Sequence, residues 1–251
     1  MKEKTSIVLI TCNRKDLSKK TIDGFYERLV NNKFIHLIVV DNNSQDGTVD
    51  LLKEYEKNNK IHKLVLLDKE NEVNISGAYN IGFKHVESEL FFTAQDDVII
   101  PELVPDVIEQ LIDLLERYPE ASMIGTRIQR IPNVNWTDGD ITPARKALSS
   151  YFRVQRKSEF LKMGENPFGT RNWDDIGTLS NVRNKLKKEG FWANNLWCDH
   201  LGYMIEKRGY GDYNRKWSSV GSHTRIADLR KPYPKVDPKT NMPLPGQRVY
   251  K

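Results

Sequence analysis

Three clusters of polar residues could do chemistry in this 251-residue chain, and each directly follows a short apolar run. The first reads Thr11-Cys-Asn-Arg14, the second runs from Asp41 to Thr48, and the third reads Gln95-Asp-Asp-Val98. An acid after a strand can accept hydrogen bonds from a base edge or a ribose. A pair of acids can hold a hard divalent cation that bridges phosphates. Taken singly, the same acids also suit turns or helix caps.

The elements that must position these clusters are short strands alternating with helices. Runs that are apolar at nearly every position are typical of strands buried on both faces of a parallel sheet. Helices are predicted at about 48–58, 76–87 and 102–118, the last with Pro101 and Pro105 near its start. The predicted strands are Ser6–Thr11, Ile35–Val40, Lys63–Leu67, Leu90–Thr93 and Ser122–Ile128.

This alternation predicts an α/β fold, in which helices flank a mostly parallel sheet. The carboxyl ends of the strands in such a sheet border the ligand crevice, so we expect the three polar clusters to meet there. Beyond residue 128 the pattern becomes irregular. Residues 130–175 are interpreted as a long, partly structured excursion, and the Pro- and Lys-containing stretch from Arg230 onward as extended.

Several classes of protein are excluded by signals that the sequence lacks. There is no Walker-type phosphate loop and no Gly-x-Gly-x-x-Gly after the first strand. Two cysteines rule out a disulfide scaffold and a four-cysteine zinc site. The apolar run at Ile7–Ile10 is too short to span a bilayer and has no cleavage site, so we expect no transmembrane segment and no signal peptide. The predicted location is cytoplasmic, with a peripheral position at the inner membrane face as the alternative.

Four motifs in order resemble the GT-A glycosyltransferases of family 2. The resemblance is strong over roughly residues 5–128 and resumes more weakly at Ile176 to Tyr210. The motifs are Ser6-Ile-Val-Leu-Ile-Thr-Cys-Asn-Arg14, Val39-Val-Asp-Asn-Asn-Ser-Gln-Asp-Gly47, Asn74-Ile-Ser-Gly-Ala-Tyr-Asn-Ile-Gly82 and Gln95-Asp-Asp-Val-Ile-Ile-Pro101. The resemblance implies a GT-A (Rossmann-like) fold with an irregular acceptor-side region toward the carboxyl terminus.

The same resemblance implies sugar transfer, with inversion, from a nucleoside-diphosphate sugar, which we expect to be UDP-linked, to an acceptor hydroxyl. It also implies a divalent metal cofactor, Mn²⁺ or Mg²⁺. Asp97 matches the last acid of the family's Asp-x-Asp metal motif, although Gln95 replaces the first acid. His223 lies where the family often places a further metal ligand. The implied nucleotide-binding residues are Thr11, Asn13, Arg14, Asp41, Asn43, Gly77, Asn80 and Asp96.

The catalytic base is expected within or near Gly190–Tyr210, which resembles the family's acceptor-side segment. In that segment an acid pair precedes a helix that ends in Gly-Tyr. Ungapped matching places the acid pair on Trp197-Cys198, so Asp199 comes one position late. We expect Asp199 to be the base, with Asp175 as the alternative; Asp199 would equally suit a helix cap.

The net charge of +5 is divided unevenly along the chain. Residues 1–125 hold 15 Lys and Arg against 22 Asp and Glu, a net charge of −7, whereas residues 126–251 hold 24 against 12, a net charge of +12. This split is compatible with two faces of one solvated domain, or with an anionic acceptor bound by the second half. The anionic acceptors considered are a cell-surface polymer, a lipid-linked sugar and a nucleic acid.

Three parts of one GT-A domain are therefore predicted. They are a nucleotide-sugar-binding half at 1–128, an acceptor-side half at 129–229 and an extended basic tail at 230–251. Two other functions stay open at this point. A sugar-nucleotide nucleotidyltransferase would need a glycine-rich first loop, which Thr11-Cys-Asn-Arg14 does not supply. A non-catalytic nucleic-acid-binding protein is compatible with the basic second half, but the sequence has no signature of a nucleic-acid-binding motif.

Overall fold

Strands and helices alternate through the first 128 residues, as the sequence predicts. The computed structural model describes residues 4–30, 34–71, 73, 75–128, 138–145, 147–148, 151–164 and 173–201. The helices are α1 (Lys15–Arg28), α2 (Thr48–Lys57), α3 (Ile75–Phe83), α4 (Val107–Arg117), α5 (Lys157–Met163) and α6 (Trp173–Asn181), and a π-helical turn, Val182–Leu186, follows α6. The strands are β1 (Thr5–Thr11), β2 (Ile35–Asn42), β3 (Lys63–Leu67), β4 (Leu90–Gln95), β5 (Val98–Ile99), β6 (Ala121–Ile128), β7 (Ile141–Pro143), β8 (Phe152–Arg156) and β9 (Glu189–His200).

All nine strands belong to one sheet, with the order β3-β2-β1-β4-β8-β6-β9-β5, and β7 pairs with β9. The pairs β1–β2, β1–β4, β2–β3 and β6–β9 are parallel. Strand β8 is antiparallel to both β4 and β6, so β6 and β9 run in the same direction as β1 to β4. Six strands therefore end at the same edge of the sheet, and the predicted α/β fold with a mostly parallel sheet is confirmed.

The helices cover both faces of this sheet, which explains why the strands are apolar on nearly every position. Ile7 and Leu9 of β1 pack in one core with residues of α1, α2 and α4. Val8 and Ile10 of the same strand pack in a second core with residues of α3, α5 and α6. Successive side chains of a strand point to opposite faces, so a strand between two helical layers must be apolar on both.

Two predicted helices differ from the observed ones at their ends. Helix α4 begins at Val107 rather than at 102, because the Asp106 carboxylate accepts hydrogen bonds from the backbone N–H groups of Ile108 and Glu109, each at 3.0 Å. This is the usual way in which an aspartate caps a helix. Helix α3 ends at Phe83, four residues before its predicted end. None of the helices in the described ranges has both the length and the apolar character needed to cross a bilayer.

Candidate functional site

A buried ion cluster lies where β1 and β4 end side by side. Residue Thr11 ends β1, and Asp96 and Asp97 follow β4; the two acids are 1% and 0% exposed. The Arg14 guanidinium reaches both carboxylates through Nη1, at 3.0 Å from Asp96 Oδ1 and 2.7 Å from Asp97 Oδ2. The first and third polar clusters of the sequence therefore meet, and Arg14 joins them.

Hydroxyl groups complete the surroundings of Asp96. Thr11 Oγ1 donates a hydrogen bond to Asp96 Oδ2 at 2.7 Å, and Ser18 Oγ lies 2.7 Å from Thr11 Oγ1. Burial raises the pKa of Asp96 to about 6, with Arg14 opposing this increase and the Asp97 charge adding to it. The two buried acids share the guanidinium of Arg14, so the described ion pairs bring one positive charge to two carboxylates.

The loops after β1 and β2 are joined by hydrogen bonds around Asn13. The backbone N–H of Asn13 donates to Ser44 Oγ at 2.7 Å, and its side-chain oxygen accepts from the Gln45 N–H at 2.6 Å. Asn13 and Asn43 have φ angles of 54° and 62°, in the left-handed region that asparagine tolerates better than most residues. These bonds hold the two loops at the carboxyl edge as one surface.

Asp41 lies in the same edge but uses its carboxylate within its own loop. Its Oδ2 accepts from the Ser44 N–H at 2.9 Å and its Oδ1 accepts from Ser44 Oγ at 2.5 Å. The turn role that the sequence left open for Asp41 is therefore present in the structure. Asp41 is fully buried.

Gly77 and Asn80 lie on α3 and are buried there. Helix α3 packs on β1 and β2, and the segment before it is tied to β2 by Asn42. The Asn42 side chain donates to the Val73 carbonyl at 2.7 Å and accepts from the Val73 N–H at 3.1 Å. The helix is thus fixed on the strands whose ends form the site, but no described contact joins Gly77 or Asn80 to the acid pair.

His200 lies beside the acid pair and is not among the residues that the sequence predicts for the site. It ends β9, and its Nε2 lies 3.4 Å from Asp97 Oδ1, while its ring meets the Tyr151 ring edge-on at 4.3 Å between centroids. Burial lowers the pKa of His200, with the Asp97 charge acting in the opposite direction. The signal in the sequence was its place directly after Asp199, but only the pairing of β9 with β5 reveals that it meets Asp97.

The two candidate bases lie apart from the acid pair. Asp199 precedes His200 on β9, so it points to the opposite side of that strand. Burial raises the pKa of Asp199 to about 6, with the Arg28 charge opposing this increase. Asp175 lies on α6, where its Oδ1 is 3.8 Å from Nη1 of the fully buried Arg153. No described contact therefore joins either candidate to Asp97.

The acid pair could hold part of a metal site. Asp97 Oδ1 is buried and, among the described residues, has no hydrogen-bond partner. In the part of the chain that the structure describes, no three His, Cys, Asp or Glu side chains are grouped to bind a metal alone. Mg²⁺ is often held by one or two protein ligands together with substrate phosphates, so Asp97 fits a divalent ion that a diphosphate completes. His223 and the predicted tail at 230–251 lie outside the described residues.

Comparisons with solved structures show the fold of this chain in known glycosyltransferases. It is similar to the mannosyltransferase PcManGT from Pyrobaculum calidifontis in complex with GDP-Man and Mn²⁺, with a TM-score of 0.67 and 16% identity over 85% of this chain and 60% of that one. It is also similar to S. aureus TarS 1-349 in complex with UDP-GlcNAc, with a TM-score of 0.57 and 13% identity over 77% and 58% of the two chains.

A third similar structure is GalNAc-T7 with UDP, GalNAc and Mn²⁺, with a TM-score of 0.61 and 11% identity over 78% of this chain and 42% of that one. This chain covers less than two thirds of each of the three structures. A comparison with curated proteins finds no match. Residues 6–175 match the model of the family described as glycosyl transferase family 2. This match covers more than half of the chain and includes all three polar clusters, so the protein belongs to glycosyl transferase family 2.

Proposed function

We propose that the protein transfers a sugar from a nucleoside-diphosphate sugar to an acceptor hydroxyl, with inversion at the anomeric carbon. The observation that carries this proposal is the buried cluster of Thr11, Arg14, Asp96 and Asp97, which lies at the carboxyl edge of the sheet in a family 2 chain. That edge is where open α/β sheets bind nucleotides. The similar structures contain GDP-Man, UDP-GlcNAc or UDP, which supports a nucleotide-sugar donor for this chain.

The joined loops after β1 and β2 are proposed to bind the nucleoside. The left-handed residues Asn13 and Asn43 turn the chain sharply at the two strand ends, and Gln45 links them by hydrogen bonds to both side chains. Preformed loops of this kind bind a ligand without a large ordering cost. Our proposed donor is UDP-linked, with Asp41 and Asn43 nearest the base and ribose and Gly77 and Asn80 nearest the diphosphate.

Asp97 is proposed to hold a divalent cation, Mn²⁺ or Mg²⁺. When bound, such a cation supplies positive charge beside the leaving diphosphate. Arg14 holds the other Asp97 oxygen and Asp96 in place, so Asp97 Oδ1 keeps a fixed direction. A preorganised group costs little reorganisation during the reaction, which is the main source of electrostatic catalysis.

The transfer step needs a base for the acceptor hydroxyl. As the acceptor oxygen bonds to the anomeric carbon, the bond from that carbon to the diphosphate oxygen breaks, and its electron pair leaves with the nucleoside diphosphate. The hydroxyl proton passes to a carboxylate. We propose Asp199 for this role, with Asp175 as the alternative. Neither carboxylate has a described contact with Asp97, so the acceptor hydroxyl must reach the base from a side of the site that the acid pair does not line. Burial raises the pKa of Asp199 to about 6, which makes its carboxylate a better proton acceptor than an exposed aspartate.

A donor screen tests the proposed function. Purified full-length protein is incubated with UDP- and GDP-linked sugars, and released nucleoside diphosphate is measured with Mn²⁺, with Mg²⁺ and with excess EDTA. We expect release from one donor that Arg14→Met reduces by at least 10-fold. Asp113→Asn is the control, because this exposed residue of α4 pairs only with Arg117 among the described contacts.

Release of pyrophosphate from a nucleoside triphosphate and a sugar phosphate would instead indicate a nucleotidyltransferase. Absence of any nucleotide binding contradicts the proposal.

A further inference from the structure

The Asp97 carboxylate has one oxygen that its surroundings leave uncompensated. Arg14 binds Asp97 Oδ2 and Asp96 Oδ1, and Thr11 binds Asp96 Oδ2. Asp97 Oδ1 alone has no hydrogen-bond donor among the described residues, although it is fully buried. Leaving a charged oxygen in that state is costly unless a ligand satisfies it.

The group that faces this oxygen is the imidazole of His200. Nε2 of His200 lies 3.4 Å from Asp97 Oδ1, and this contact is too long for a good hydrogen bond. Backbone hydrogen bonds fix the distance between the segments that carry Asp97 and His200. Val98 pairs with His200 across β5 and β9, and the Leu201 N–H donates to the Asp97 carbonyl at 2.7 Å. The two side chains are therefore held opposite each other by the sheet itself.

This separation is that of two neighbouring ligands on one metal ion. Divalent ions bind oxygen and imidazole nitrogen at about 2.1 to 2.3 Å. Two such ligands at a right angle are then roughly 3.0 to 3.3 Å apart, close to the 3.4 Å observed. Arg14 restricts the ion to a single Asp97 oxygen because it occupies the other one.

We infer that His200 is a protein ligand of the divalent cation, together with Oδ1 of Asp97. This inference rests on the proposed function, since the diphosphate of the donor would fill further ligand positions. It gives the metal-binding role to a residue at the end of β9, whereas the sequence indicated His223. The carboxylate of Asp97 and the diphosphate oxygens suit Mn²⁺, and the imidazole of His200 would add one nitrogen ligand to this oxygen set.

Electron spin-echo measurements on bound Mn²⁺ test this assignment, because they detect a directly bound ¹⁴N nucleus. The sample is tag-free full-length protein with Mn²⁺ and inorganic pyrophosphate, which contributes no nitrogen. We expect imidazole ¹⁴N modulation in the unaltered protein and in His223→Asn. In His200→Asn we expect the modulation to disappear and the Mn²⁺ affinity to fall by at least 10-fold. His85→Asn, in the loop after α3, is the matched control.

The outcomes separate the inference from the proposed function. Modulation that persists in a folded His200→Asn protein, or that disappears in His223→Asn, overturns the inference. The His223→Asn result needs no change at the buried His200, so the test holds even if His200→Asn fails to fold, as circular dichroism would reveal. If Mn²⁺ does not bind but a nucleotide sugar is still consumed in EDTA, the inference and the proposed metal role of Asp97 both fail, while the proposed sugar transfer stands.

Discussion

At the scale of single residues, the acid pair carries the proposed metal role and can be tested by one substitution. Asp97→Asn keeps the size of the side chain and removes its charge, while Asp96 still compensates Arg14. We expect turnover to fall by at least 100-fold, because developing negative charge on the diphosphate loses its counter-charge. Turnover of the donor and thermal unfolding are measured together. Near-normal turnover in this variant, or in the unaltered protein with excess chelator, contradicts a metal role for Asp97.

Replacing each candidate base by asparagine should have a different effect, on kcat for Asp199 and on stability for Asp175. Asp199→Asn should lower kcat by ~10²–10⁴, the usual contribution of a general base, and should leave the donor Kd unchanged. Asp175→Asn should instead lower stability, because it removes the acidic partner of the fully buried Arg153. Steady-state kinetics and urea unfolding of both variants distinguish the roles. If kcat falls in Asp175→Asn alone while its stability is unchanged, Asp175 is the base and the assignment of Asp199 is wrong.

At the scale of elements, the site depends on how closely α3 lies on the sheet. Gly82 faces β1 and β2, where an added Cβ would overlap Val8 Cγ1 and lie 3.1 Å from Val40 Cγ2. Gly82→Ala should cost about 1 to 3 kcal/mol of unfolding free energy because the helix must move outward. Gly24→Ala on α1 is the control. Among the described residues, the added Cβ would meet Ile99 Cδ1 at 3.7 Å, an ordinary contact. Because alanine is a better helix former than glycine, Gly24→Ala should raise the free energy of unfolding by up to about 1 kcal/mol.

Urea unfolding of both glycine variants measures the difference, and nucleotide affinity gives a second readout. Since α3 carries Gly77 and Asn80, an outward shift should also weaken nucleotide binding in Gly82→Ala but not in Gly24→Ala. Equal stability of the two variants would show that α3 does not need this close approach.

The elements that the sequence predicts are those whose signals are local. Strands β1, β2, β4 and β6 are buried apolar runs, β3 is an apolar run that is half-buried or exposed, and helices α2 to α4 have helical patterns. Helix α1 was missed, although Leu17, Ile22 and Phe25 on its buried face have helical spacing. Strands β8 and β9 were missed because charged or amide side chains interrupt them. Arg153, for example, is fully buried in β8, where its Nη1 donates to the Leu148 carbonyl at 2.8 Å.

The same limit applies to the site. Thr11, Arg14, Asp96 and Asp97 could be predicted to meet, since each follows a parallel strand that ends at one edge. His200 could not, because its approach depends on pairing between residues about 100 positions apart in sequence. The sequence predicts that Arg14 lies at this edge, but it does not predict that the Arg14 guanidinium bridges the two acids.

At the scale of the whole molecule, several basic side chains of the second half are held by internal contacts. In the second half, Arg153 pairs with Asp175, Arg183 with Glu189 and Lys188 with Glu159. Lys157 and Lys185 donate to backbone carbonyls. These contacts fix the positions of five positive side chains, but they leave the net charge of this half as its composition gives it. A basic surface for an anionic acceptor would have to draw on other residues, and residues 230–251 contain six Lys and Arg against one Asp.

Salt dependence tests an anionic acceptor at this scale. Affinity for a polyanion should fall by about one power of salt concentration for each phosphate contacted. We expect this slope to become shallower in a chain that ends at residue 229, while nucleotide-sugar consumption without an acceptor is unchanged. Fluorescence titration with a phosphate-containing polymer between 50 and about 200 mM salt measures the slope, with a neutral oligosaccharide as control. If the affinity for the true acceptor does not change with salt, the acceptor is not bound through its charge, and the uneven charge is a property of the solvated surface.

The position of β8 between β4 and β6 determines when this protein can fold during its synthesis. By residue 128 the ribosome has made β1 to β6 and both acids of the pair. Strand β4 nevertheless keeps a bare edge, and β6 has neither of its described neighbours, β8 and β9, until more of the chain emerges. Bare strand edges recruit other chains. A chain released at this length is therefore expected to aggregate more readily than the folded protein.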